Sequence, residues 1–184
     1  MIFADWSVES GGGAPVIDAE WEGWIDLRKH PTMISGIAEA SAFEPLAQLL
    51  LALNAPDSPC WTSKCDLWSE PSEDDPAEGE SQGPESASTA CCYIDLLPAE
   101  GILFQSWGEA EAMCRRWAAW LDGKTEAEGE IELVVRSAAT SRLEGFGITV
   151  YLSACGADSA QAALALSGLM AVFSRSCIDV PPAH

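Results

Sequence analysis

Basic residues are scarce in this chain: nine Lys and Arg stand against 29 Asp and Glu, a formal net charge of -20 over 184 residues. A body of that charge repels phosphate and draws cations and basic proteins, which excludes nucleic acid as a direct ligand. Histidine is scarcer still. His30 lies in a Lys-His-Pro loop and His184 is the last residue, so His30 alone is placed to act as an imidazole base, and it has no evident partner. The Gly-x-Ser-x-Gly elbow, the phosphate loop and the dinucleotide fingerprint are all missing, and no catalytic residue is assigned. No apolar run reaches the ~20 residues of a membrane span, and no basic segment leads into an apolar one at the N-terminus. The expectation is a cytoplasmic protein with no membrane partner.

Cysteine is present, but not in a pattern that organises a site. Seven is an odd number, and without a secretion signal reduced thiols are the default. Cys60, Cys65, Cys91 and Cys92 fall in neighbouring expected strands. Their five-residue and one-residue offsets turn the sulfurs to opposite faces, unlike the short knuckles of zinc sites, so they read as small buried hydrophobes. Cys155, in Cys-Gly-Ala-Asp-Ser between a strand and a helix start, is the candidate reactive thiol. A helix N-terminus lowers a thiol pKa there, and Asp158 opposes the effect.

What the chain does have is apolar content, 48% of residues, enough for one domain spanning 1–184. Within it, Ser69 to Thr89 holds seven acidic residues and no aromatic or branched aliphatic side chain, the composition of a disordered acidic loop between two strands. Removing its seven charges still leaves -13, so the rest of the chain is acidic on its own account.

The pattern of periods lays down two strands and a helix three times. Strands are expected at 2–8, 16–27, 60–68, 90–97, 130–137 and 147–154, with helices ending near Asn54, over 107–121 and over 159–177, and a short one at 32–42. Ser106 and Glu109 form a capping-box pattern, and Gly123 is placed to end that helix. The result is an α+β domain of ββαββαββα order. Its sheet, mixed or antiparallel and of about six strands, carries helices packed on one face, with a ferredoxin-like βαββαβ core inside it.

If helices cover one face, the strands' outer parity describes the other. In 15–28, Ile17, Ala19, Trp21, Ile25 and Leu27 alternate with Asp18, Glu20, Glu22, Trp24 and Asp26, the pattern of a half-buried strand with an acidic outer row. Trp21, Trp61 and Trp117 fall at core parity, Trp24 and Trp68 outside it. Lys64, Asp66, Trp68, Tyr93, Asp95, Glu130, Glu132, Arg136, Thr149, Tyr151 and Ser153 extend the outer set.

Aromatics among carboxylates suit a docking surface. Asp18, Glu20, Glu22, Trp24, Asp26, Asp66, Trp68, Tyr93 and Asp95 therefore make the candidate face for a basic protein partner. The expected function is a non-enzymatic acidic binding protein with no cofactor: an inhibitor, an immunity-type protein or a mimic of nucleic-acid charge. Two alternatives stand beside it. Asp18, Glu20, Asp66 and Asp95 converging as oxygen ligands would give a divalent-cation-dependent enzyme or small-ligand domain. The last helix, uncharged between Asp158 and Arg175, would instead serve a structural homodimer.

Overall fold

Alternation builds the centre of the molecule as the sequence predicts. In the computed structural model, which describes residues 1–71 and 87–180, the strands are β1 (Ile2–Glu9), β2 (Ile17–Asp18), β3 (Cys60–Pro71), β4 (Ser88–Pro98), β5 (Gly129–Ala139) and β6 (Glu144–Gly156). The helices are α1 (Ala38–Ala42), preceded by a 3-10 turn over Pro31–Gly36, α2 (Glu44–Leu53), α3 (Trp107–Leu121) and α4 (Ser159–Asp179). The class is α+β with a six-stranded mixed sheet in the order β1-β5-β6-β4-β3, and β2 pairs β5 beyond the end of β1. β1 and β2 run parallel to β5, and every other pairing is antiparallel.

One parity of each strand enters the main core. Ile2, Cys92, Ile94, Leu96, Ile131, Leu133, Val135, Ile148, Val150 and Leu152 are buried with the apolar stripes of all four helices. Those stripes are the expected ones. Leu46, Leu49, Leu50 and Leu53 point inward from α2, and Ala110, Met113, Cys114, Trp117 and Leu121 from α3. Leu166, Leu169, Met170, Phe173 and Cys177 do so from α4. Trp117 meets Phe173 edge-on at 5.8 Å, the preferred geometry of an aromatic pair. The Ser106 hydroxyl caps α3 by accepting from the Glu109 N–H at 3.3 Å, but Glu109 reaches back to the Gln105 N–H rather than to Ser106. Gly123 ends the helix at φ +74°.

Two expectations need correction. The ferredoxin-like core required residues 16–27 as a full strand inside the sheet. β2 is two residues long and sits at an edge, and β6 takes the place between β5 and β4. The segment fails as a strand because its polar groups bend it. Asp18 accepts the Glu20 N–H, the Trp24 N–H closes a turn onto the Trp21 carbonyl, and Gly23 adopts φ +95°. α4 with its 21 residues is long and apolar enough by length and composition alone to cross a membrane; its inner face packs on the sheet, and Leu164 and Ile178 lie outside. The expected disordered loop falls mostly on 72–86, outside the described residues, while its ends extend β3 and β4.

Candidate functional site

With the helices on one side, the opposite parity forms an open face, and the turns after β1 cover one end of it. Ile17, Ala19, Trp61, Leu97, Leu103 and Ala138 make a second, smaller core there, with Trp24 packed against it. A Cβ on Gly147 would come within 2.8 Å of Ile17 Cδ1 and 3.0 Å of Leu97 Cδ2, so its missing side chain is the seat for this cover. Two indoles pin the cover to β3: Trp21 Nε1 donates to the Ser63 carbonyl at 3.1 Å and Trp24 Nε1 to the Thr62 carbonyl at 3.3 Å. Asn54 anchors the same stretch from the other side, donating to Thr62 Oγ1 and accepting the Thr62 N–H.

The expected acidic row of 18–26 therefore does not exist. Glu20 and Glu22 are exposed on turns, and Asp26 is paired with Arg28 at 2.8 Å and Lys29 at 3.0 Å. Trp24 is partly buried against Trp61 at 5.3 Å, while Trp21 is 39% exposed, the reverse of their parity assignment.

The remaining outer set is brought together, and the register arranges it in rows across the strands. Asp5 stands opposite Glu132, Glu132 opposite Tyr151, Tyr151 opposite Tyr93 and Tyr93 opposite Asp66, a line crossing five strands. The two tyrosine rings lie 6.0 Å apart, and Trp68 adds a third ring 6.3 Å from Tyr93. Trp68 Nε1 donates to Glu70 at 2.7 Å. Asp5 and Glu132 are exposed, and among the described residues no Lys or Arg pairs with Asp5, Asp66 or Glu132. Asp5 was not among the residues singled out from the sequence, because its role depends on β1 lying beside β5, which periodicity does not reveal.

Between this line and the cover lies a cavity of about 550 Å³, lined by Lys64, Tyr93, Asp95, Arg136, Thr149 and Tyr151 from the sheet and by residues 15–18 and Trp21 from the cover. Asp95 is 8% exposed and accepts the Thr149 hydroxyl at 2.6 Å. Burial pushes its carboxyl pKa up, against the Thr149 hydrogen bond and the charges of Arg136 and Lys64. Lys64 sits in the irregularity of β3 between Thr62 and Cys65, and the Tyr93 hydroxyl beside it raises its ammonium pKa. Arg136 is tied to Glu9 at 2.6 Å and lies 5.5 Å from the Tyr151 ring centre.

Of the four candidate cation ligands, Asp18 and Asp95 line this cavity and Glu20 and Asp66 do not. Among the described residues, no three His, Cys, Asp or Glu side chains come together as a metal would require. His30 is exposed beside the 3-10 turn and does not line the cavity. Cys155 is the one exposed cysteine, 3.4 Å from the Thr89 hydroxyl, and the other six are buried or half-buried.

No protein-family model, curated protein or solved structure matches this chain.

Proposed function

We propose that the chain is a non-enzymatic binding protein that docks a basic protein partner on its open sheet face. The observation that carries this reading is the line Asp5-Glu132-Tyr151-Tyr93-Asp66, in which two neighbouring phenol rings are flanked on both sides by carboxylates without a cation of their own. Arg136 already lies by the Tyr151 ring, so a partner's arginine would settle on the Tyr93 and Trp68 rings, gaining a cation–π contact there and a charge-assisted hydrogen bond to Asp66. The two acids that β1 and β5 bring side by side repel each other in the free protein, and a cationic partner relieves that repulsion. Charge of this sign also speeds encounter with a basic surface, an effect that weakens as salt rises.

The test uses an arginine-rich peptide and a glutamate-rich peptide of equal length, followed by amide chemical shifts. The arginine-rich peptide is expected to perturb signals of β4, β5 and β6 around the tyrosine pair, with an affinity that falls with salt and is lost in Glu132→Lys/Asp66→Lys. Perturbation scattered over the surface, or unchanged binding in the double variant, would overturn the reading.

A further inference from the structure

The cavity beneath Trp21 shares Tyr93 and Tyr151 with that docking line, but the rest of its lining has a character of its own. Lys64 and Asp95 belong to paired strands, face the same space and feel each other's charge, yet they form no ion pair. Lys64 and Tyr93 line the cavity together, and Asp95 is held through one oxygen by Thr149. Asp95 is thus oriented by a neutral hydroxyl instead of being cancelled by Lys64. Arg136, held by Glu9, and the exposed Asp18 add one further charge of each sign to the lining.

Two cations and two carboxylates leave the lining close to neutral. A simple anion entering it would have to cross the field of a chain at -20 and meet Asp95. A simple cation would meet Lys64 and Arg136. A molecule carrying both charges a few atoms apart avoids both penalties. The cover adds apolar surface from Pro15, Val16, Ile17 and Trp21 beside Asp18, and a cavity of about 550 Å³ is the size that small ligands occupy.

We infer that this cavity binds a free α-amino acid, its carboxylate turned to Lys64, its ammonium to Asp95 and its side chain to the wall of Val16, Ile17 and Trp21. Thr149 and the two tyrosines then act as positioning groups. Because this site does not rest on the protein-docking reading, either can fail alone.

The experiment is a calorimetric titration of the intact chain with each standard L-amino acid. The tightest of them is then compared with its amide, which lacks the carboxylate, and its deamino acid, which lacks the ammonium. Saturable millimolar or tighter binding is expected, roughly tenfold or more weaker for either analogue. Lys64→Gln, at an exposed side chain where folding is not at stake, is expected to erase the preference over the amide. Asp95→Asn is expected to erase the preference over the deamino acid. The inference is overturned if no amino acid binds, if both analogues bind as well as the parent, or if Lys64→Gln leaves the preference over the amide intact.

Discussion

Asp5 on β1 and Glu132 on β5 are direct partners in a parallel pair, two exposed carboxylates placed side by side at the start of the line that crosses the open face. Like charges directly opposite each other in a sheet are destabilising by a few tenths of a kcal/mol to about 1 kcal/mol. Glu132→Gln is therefore expected to raise the stability of the free protein by about 0.5 kcal/mol in urea melts at low salt, with the gain shrinking as salt screens the pair. The same variant is expected to weaken binding of an arginine-rich peptide. A loss of stability on removing this charge would show that Glu132 is held by an attraction rather than placed against one.

Arg28 ties the covering segment down. Its guanidinium lies over the Trp61 ring, 4.1 Å from the ring centre, and donates two hydrogen bonds to Asp26. Chiefly through Arg28, and with help from Lys29 against the opposing effect of burial, the Asp26 carboxyl is held from its ordinary 3.8 down to about 2. A carboxylate depressed in the folded state contributes stability that is complete above its unfolded pKa and is lost as pH falls through the folded one. Asp26→Asn is expected to cost about 1 kcal/mol at neutral pH, a cost that shrinks as pH falls below the ordinary carboxylate range and disappears only below about pH 2. Thermal melts across that range check it, and a constant difference at all pH values would contradict the ion-pair origin.

Gly147 is the seat of the cover. Gly147→Val would drive its side chain into Ile17 and Leu97, at a cost of about 1–3 kcal/mol for an overpacked site. Because the strain falls on the smaller core, the expected signature is local: the Trp21 and Trp24 indole N–H signals exchange faster while the amides of β5 and β6 facing the helices stay protected. Uniform loss of protection would mean that the two cores melt together.

Cys155 is expected to be the first thiol alkylated in the native protein, with the remaining six reacting only on denaturation. Burial pushes Cys65 and Cys114 up to about 12, which keeps those two unreactive at neutral pH even where a reagent reaches them. Mass spectrometry after brief treatment with iodoacetamide reads the order.

The open face was largely legible in the sequence, and its covered end was not. From β3 to β6 alternation separates the helix-covered parity from the other, even though the minor core buries part of the second face as well; that is why Asp66, Tyr93, Glu132 and Tyr151 were placed on a common face. In 16–27 the same alternation misled. Ile17, Ala19 and Leu27 do go inward, but through turns, and onto different cores: Ile17 and Ala19 onto the minor one, Leu27 onto the main one. The better signal was the pair Trp21 and Trp24, three apart around Gly23. Two indole donors at that spacing cannot share a face of a strand, and they meet consecutive carbonyls only if the chain bends between them. Strand order was beyond reach for a different reason: it depends on which edge a distant strand chooses, and nothing local encodes that β6 should insert between β5 and β4.

The two cores differ greatly in size, and the smaller is closed by a stretch held by two indole hydrogen bonds, the Ser63 hydroxyl, a short pairing with β5, Arg28 over Trp61 and a glycine-sized hollow. Such an arrangement divides the molecule into two cooperative units of unequal strength. The cover is the unit that opens first, and when it does, the cavity loses its apolar wall while the line of tyrosines and carboxylates keeps its scaffold. Whatever occupies the cavity thereby acts as a clasp on the cover, and occupancy is written into the opening rate of residues 15–28 without any change in the sheet behind them.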